Sequence, residues 1–193
     1  VVNAAGSADV IFSAAVGAGV NNLEALTISG ADTATLQAVT TNGSQSITTT
    51  NGATLNGTMT INGVSSSTDA FSVGNVTLGA GIQVVNSGGE DADDVTFSGT
   101  ITGGTNLLNI DVATNGDATF SGVGTGVGAL TVDADTITLD AAMTADSVVF
   151  TNTGGSSDLT DLNSILTADT STVTFVSTDG SASINTTSDI IST

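Results

Sequence analysis

The sequence contains no Lys, Arg, His, Pro, Cys, Trp or Tyr. The absence of Lys and Arg excludes nucleic acid and anionic membrane surfaces as partners, because binding to phosphates depends on these cations. Without Cys and His, the chain has no thiol chemistry, no Ser-His-Asp triad and none of the usual zinc ligands. No apolar run approaches the roughly 18 residues that cross a bilayer, so we expect no membrane insertion.

The charge is of one sign, with 19 acidic residues and a formal net charge of −19. Because no side chain can form an ion pair with them, the carboxylates must be solvated, hydrogen-bonded or bound to metal. Hydrophobic residues make up 39% of the chain and follow a regular pattern, which favours an ordered fold over disorder.

Short apolar-alternating runs separated by Gly or Asp are clearest in the stretch 116–150. Alternation with period two predicts half-buried strands. Leu130 and Val132 share one parity, whereas Ile137 and Leu139 share the other. The parity changes at Asp135-Thr136, which predicts a corner there.

The runs recur along the chain, and the two best-preserved repeat units span 9–46 and 117–150. Both contain L-T-[IV] followed by D-T-x-T-L. Phe recurs at intervals of 23 to 30 residues, at Phe71, Phe97, Phe120, Phe150 and Phe175. Such a period, built from short strands, predicts an all-β parallel β-helix (β-solenoid) of about seven irregular coils, with residues 1–193 forming one domain.

Two motifs extend this expectation: V-x-F-S-G-x-[IV]-x-G-G, and L-T-V-x-A-D-T-I-T-L-x-A-A-[MV]-T. Over most of residues 9–150 they resemble the degenerate repeats of giant filamentous-haemagglutinin-like and autotransporter-type bacterial surface proteins. The resemblance implies a secreted right-handed parallel β-helix located outside the cell or on its surface. It implies no catalytic residues, since these repeats carry no active-site motif.

One segment departs from the pattern. Leu159, Leu162, Ile165 and Leu166 follow a helical spacing after Ser157-Asp158, which predicts a short helix within 157–166. An irregular stretch of coil whose leucines cover the core is the alternative. An alternative for the whole fold is a β-sandwich subunit that polymerises by donating a terminal strand, Val1 to Val16.

Calcium is the one candidate cofactor. Glu90, Asp91, Asp93 and Asp94 lie in the sequence GGEDADDV, where several oxygen donors follow a pair of glycines. These four residues are the predicted metal ligands. A solvated acidic turn is the competing interpretation.

We expect a structural protein that forms a rod or filament for adhesion, a matrix or a surface layer. It would assemble head to tail with itself or stack on neighbouring repeats of a longer chain. Catalysis is not expected, since carboxylates are the only acid–base groups and Trp and Tyr are absent. Alternatives are a calcium-dependent adhesin or surface-layer segment, and a module that binds glycan or ice on one flat face. Thr-x-Thr pairs suggest such a face at Thr33/Thr35, Thr58/Thr60, Thr100/Thr102, Thr136/Thr138 and Thr172/Thr174.

Overall fold

The computed structural model describes residues 2–3, 7–17, 23–63, 69–87, 93–112, 115–153, 159–178 and 183–193. These residues form β-strands and no helix, so none of them contributes a helix able to cross a membrane. In chain order the strands are β1 (Val2–Asn3), β2 (Val10–Ile11), β3 (Leu26–Ala31), β4 (Ala34–Leu36), β5 (Val39–Thr41), β6 (Gln45–Thr49), β7 (Ala53–Leu55), β8 (Met59–Ile61), β9 (Phe71–Val73), β10 (Val76–Leu78), β11 (Ile82–Asn86), β12 (Val95–Phe97), β13 (Ile101–Thr102), β14 (Leu108–Val112), β15 (Ala118–Phe120), β16 (Gly124–Ala134), β17 (Thr136–Leu139), β18 (Met143–Asn152), β19 (Leu159–Leu162), β20 (Leu166–Ala168), β21 (Val173–Ser177), β22 (Ser183–Thr186) and β23 (Ile190–Ser192).

The strands stack in parallel as a β-solenoid of about seven turns, which confirms the predicted fold class. Row 1 consists of β1, β3, β6, β9, β12, β15, β17, β19 and β22. Row 2 consists of β2, β4, β7, β10, β13, the first parts of β16 and β18, β20 and β23. Row 3 consists of β5, β8, β11, β14, the second parts of β16 and β18, and β21.

Three corners connect these rows. The first corner joins row 1 to row 2, the second joins row 2 to row 3, and the third joins row 3 to row 1 of the next coil. From β3 onward the first corner takes two or three residues. The third corner ranges from one residue, Asp135 between β16 and β17, to the nine residues 62–70 between β8 and β9.

Alternate side chains of each strand point inward and stack on their equivalents in the next coil. Burying each large apolar side chain stabilises the fold by about 1.5–3 kcal/mol. The longest such column in row 1 is Ile28, Ile47, Val73, Phe97, Phe120, Leu139 and Leu162. Each of these residues belongs to the single core that runs along the coils.

The Phe residues occupy two rows rather than one repeating position. Phe97 and Phe120 stack in row 1, with ring centroids 5.6 Å apart and planes 9° apart. Phe150 and Phe175 are in register in row 3, with centroids 5.9 Å apart. Phe71 lies in row 1 but is in register with Val95 rather than with Phe97. The prediction that all five mark the same point of the repeat was therefore wrong, since only Phe97 and Phe120 share one position in row 1.

Two β-bulges adjust the coils where glycine has a positive φ. One extra residue interrupts the pairing between Ile28 and Ala31, and Gly30 in that interval has φ 73°. The same irregularity lies between Gly124 and Val127, where Gly126 has φ 63°. Residues with a side chain rarely adopt a positive φ, so glycine allows each bulge to form with little backbone strain.

The predicted corner at Asp135-Thr136 is confirmed, because β16 ends at Ala134 and β17 begins at Thr136. The predicted helix within 157–166 was wrong: residues 159–162 form β19 and residues 166–168 form β20, while 157–158 lie outside the described residues. Leu162 and Leu166 are both buried on either side of a first corner. Leu162 and Leu166 are thus four residues apart, as on one face of a helix, because a three-residue corner separates two inward-facing strand positions.

The β-sandwich alternative is also excluded by the parallel stack. Its proposed donor strand, Val1 to Val16, contains β1 and β2, and both pair within this chain.

Candidate functional site

No pocket or cleft opens among the described residues. Three features carry polar or exposed groups that could take part in binding. They are the carboxylates at the corners, the hydroxyl columns on the outer surface and the coil that contains β22 and β23.

Most carboxylates with a defined partner accept a hydrogen bond from the next coil. Asp9 accepts from the N–H and the hydroxyl of Thr33, at 3.3 and 2.7 Å. The further acceptor–donor pairs of this kind are Asp32 with Asn51, Asp94 with Asp117, Asp117 with Thr136, Asp133 with Thr153, Asp140 with Asn163, and Asp161 with Asn185. Main-chain N–H groups and Asn and Thr side chains therefore take the place that cationic side chains have in most proteins.

Each of the two described members of the predicted metal set bonds a different neighbouring coil through its Oδ1. Asp93 Oδ1 accepts the N–H of Asp69 in the preceding coil, at 2.8 Å. Asp94 Oδ1 accepts the N–H of Asp117 in the following coil, at 3.1 Å. Glu90 and Asp91 lie outside the described residues. Among the residues that are described, no three acidic side chains come together as a metal-binding group.

Polar side chains enter the core at the third corner. Thr41, Asn86 and Asn152 occupy the last inward position of row 3 in their coils and are buried. Each donates to a main-chain carbonyl of the corner: Thr41 to Gly43, Asn86 to Asp69 and Asp93, and Asn152 to Asp135. Main-chain carbonyls in the interior need donors, and these side chains supply them.

This inner polar set was missed from the sequence, although a signal exists. In IQVVN (82–86) and VVFTN (148–152), an alternating apolar strand ends with Asn at an inward position. Three buried acceptors in the described structure have no donor: Gln45 Oε1, Asn86 Oδ1 and Asp135 Oδ1. All three lie at the third corner.

Two carboxyl groups have raised pKa values. Burial raises the pKa of Asp117, the N–H of Thr136 lowers it, and the nearby charges of Asp94 and Asp135 raise it further. Burial also raises the pKa of Asp111, helped by the charge of Asp133, its neighbour in register on row 3. Burial is the larger cause of both pKa shifts, and the charges of carboxylates in neighbouring coils add to it.

The outer surface of row 2 carries a column of threonines. Thr35, Thr54, Thr77, Thr102 and Thr125 follow one another in register through five coils. The Thr-x-Thr pairs that drew attention to this chemistry are spread over different rows. Thr138 belongs to row 1, Thr60 and Thr174 to row 3, so the pairs do not form one array.

The coil that contains β22 and β23 exposes positions that are buried elsewhere. Ile190 is in register with Leu166, which is fully buried, yet Ile190 is 40% exposed. Ile184 is in register with the buried Thr160 and is 48% exposed. These inward-type residues form an apolar surface bordered by parallel strand edges.

Comparison of the chain with protein-family models, with curated proteins and with solved structures finds no match. The fold alone therefore defines its class, a β-solenoid repeat protein with parallel coils.

Proposed function

We propose that the protein is a structural, non-catalytic part of an extracellular rod or filament. The observation that carries this proposal is the stack of parallel coils around one apolar core that runs along them, a form that lengthens by adding coils. A further parallel coil placed against β22 and β23 would cover Ile184 and Ile190, which are exposed at core positions, and continue their backbone ladder.

Such a coil could belong to neighbouring repeats of a longer chain or to the first coil of a second copy. A contact between unlike ends of identical subunits is heterologous, so it propagates into a filament. Val2 in β1 packs against the core from the opposite end, where β1 has a partner on one side only among the described residues.

Localisation outside the cell or on its surface is part of the proposal. It is supported by the resemblance to bacterial surface-protein repeats and by the lack of Lys and Arg, which removes the cleavage sites of trypsin-like proteases. A role in adhesion, a matrix or a surface layer suits a rigid rod of this kind. The high negative charge would keep separate rods apart.

Electron microscopy of the purified chain, with and without chelator, tests the proposal. We expect filaments with an axial repeat of about 43 Å, since row 1 stacks nine strands and coils rise by about 4.8 Å each. Ile184→Asp and Ile190→Asp should prevent filament growth, whereas Val123→Asp, an exposed change away from the ends, should not. The observation of single particles at all protein concentrations would overturn the proposal that the chain forms filaments.

A second candidate is a module that binds ice or glycan on one face. The threonine column of row 2 favours it, because five hydroxyl-bearing side chains repeat at the coil spacing. Thermal hysteresis that is lost in Thr77→Lys would support ice binding, and its absence from the wild-type chain would remove it. A calcium-dependent adhesin segment is tested by the chelator arm of the microscopy experiment.

A further inference from the structure

Asn51 lies at the first corner between β6 and β7, where its side chain is exposed. The next residue is Gly52. In an Asn-Gly pair, the peptide nitrogen of the glycine can attack the side-chain carbonyl carbon of the asparagine, since no glycine side chain blocks the approach. The chain contains five such pairs, which begin at Asn42, Asn51, Asn56, Asn62 and Asn115.

The attacking nitrogen of Gly52 is not held in the backbone ladder. Its N–H donates to no acceptor among the described residues. At Asn42-Gly43 the nitrogen is engaged, because the N–H of Gly43 donates to the main-chain oxygen of Glu24 at 2.6 Å. Reaction at Asn42 therefore requires a backbone hydrogen bond to break first, whereas reaction at Asn51 does not.

Asn56 is hindered in a different way. It is half-buried at the second corner, and its Oδ1 lies against Gly79 of the following coil, where an added Cβ would come within 2.0 Å of it. Neighbouring atoms thus restrict the rotation that the attack needs. Asn62 and Asn115 border residues outside the described part of the chain. Among the fully described pairs, Asn51 combines an exposed side chain with an attacking nitrogen that is not engaged.

We propose that Asn51 is a site of spontaneous deamidation. The nitrogen of Gly52 forms a bond to Cγ of Asn51, and the Cγ–Nδ2 bond breaks. The proton of the attacking nitrogen leaves with the side-chain NH2 group as ammonia, and a cyclic succinimide remains. Water then opens this ring at either carbonyl, which gives aspartate or isoaspartate at position 51. The reaction needs no enzyme, oxidant or reductant.

Either product weakens a contact between adjacent coils. Asn51 Nδ2 donates to Asp32 Oδ1 at 2.5 Å. A carboxylate at position 51 cannot donate this hydrogen bond and places a second negative charge beside Asp32, in a chain without Lys, Arg or His. Isoaspartate also lengthens the backbone, at a corner that takes only two or three residues from β3 onward.

Peptide mass spectrometry of protein aged at mildly alkaline pH tests the proposal. The digestion uses a protease that cuts at apolar residues, because trypsin has no sites in this chain. We expect Asn51 to react about fivefold faster than Asn42, a ratio that corresponds to one backbone hydrogen bond. Both aspartate and isoaspartate should form, the second detected by enzymatic methylation of isoaspartyl groups. In urea, where the fold is lost, Asn51 and Asn42 should react at similar rates.

Asn163 is the matched control within the same chain. It is exposed at a first corner, and its Nδ2 donates to Asp140 Oδ1 at 3.0 Å, as Asn51 donates to Asp32. Ser164 follows it instead of glycine, so Asn163 should remain intact. Asn51→Gln should remove the early product, because its longer side chain would have to close a larger ring. Asn51→Asp, which mimics one product, should lower Tm by about 2–4 °C.

An intact Asn51 after Asn42 has reacted would overturn the proposal, as would equal rates at Asn51 and Asn163. A preference for Asn51 over Asn42 that persists in urea would also contradict it, because the fold would then not be the cause. An unchanged Tm in Asn51→Asp would refute the weakening of the contact with Asp32.

Discussion

Asp117 connects three coils through its own backbone and side chain. Its Oδ1 accepts the N–H of Thr136 at 3.1 Å, and its own N–H donates to Asp94 Oδ1 at 3.1 Å. The result is a column of carboxylates that bond along the solenoid axis while repelling one another. Because of this repulsion, we expect the stability of the fold to depend on pH and on salt concentration.

Stability should increase as the pH falls from neutral towards the ordinary Asp range. The folded pKa of Asp117 is raised above its usual value, so its favourable contribution is fully present below the unfolded pKa and is lost as the pH rises through the folded pKa. Asp117→Asn keeps the acceptor oxygen and removes the charge. We expect it to stabilise the protein at pH 7 by less than about 1 kcal/mol, since the group is only partly buried.

Thermal unfolding of both proteins between pH 3.8 and 7 measures this effect. The gap in Tm between variant and wild type should close as the pH approaches the lower limit. Asp140→Asn, on an exposed residue that bonds Asn163, serves as the comparison. A wild-type protein that loses stability over the same range on acidification would contradict the expected sign.

Added sodium chloride should stabilise the fold. The 19 acidic groups have no side-chain cations to pair with, so screening weakens repulsion without weakening salt bridges. A gain of about 1 kcal/mol between low salt and 1 M would raise Tm by about 2–4 °C. Repeating the series near pH 4, where more carboxyls are protonated, should give a smaller rise. A fall in Tm with salt at pH 7 would refute the prediction.

Gly122→Ala should destabilise the protein strongly. A Cβ at Gly122 would lie 1.8 Å from the carbonyl oxygen of Gly99 in the preceding coil, and backbone cannot move aside as a side chain can. We expect a loss of about 2–4 kcal/mol. Gly74→Ala is the matched control, because its nearest neighbour, the Ile47 oxygen, is 4.0 Å away; its effect should stay within about 1 kcal/mol. Urea unfolding of both variants provides the comparison, and equal losses would show that coil contact is not the cause.

Phe120→Ala should cost about 3–5 kcal/mol, because it removes a fully buried ring and its stack on Phe97. Thr119→Ala, on the outer side of the same strand, should change stability by no more than about 0.5 kcal/mol. Chemical denaturation measures both. A small effect of Phe120→Ala would indicate that neighbouring coils collapse into the space.

The fold class and the corner at Asp135-Thr136 could be predicted because alternation and a change of parity are local signals. The assignment of strands to rows could not. The matched triplets 26–28 and 130–132 lie in row 1 and row 3, respectively. Every row imposes the same inward–outward alternation, so similar sequences fit different rows.

The Asp-Thr motif explains part of this ambiguity. Thr33, at a first corner, and Thr136, at a third corner, both donate their N–H to an Asp of the preceding coil. The motif therefore indicates that a corner is hydrogen-bonded to the preceding coil, but it does not distinguish a first corner from a third corner. The buried hydrogen bonds of Asn86 could not be predicted from the sequence for a related reason. Its partners, Asp69 and Asp93, come together only when the coils stack.

The third corner accommodates between one and nine residues, while the first corner from β3 onward accepts only two or three. Chain length can thus change most widely at the third corner without altering the registers of the three rows, while the second corner varies from no interruption within β16 and β18 to five residues between β13 and β14. A peptide grafted between β8 and β9 would be displayed beside the coils, and copies grafted at successive third corners would stand in line. The third corner, which accepts the widest range of lengths, is therefore the place in this fold where inserted peptides would be displayed at the spacing of the coils.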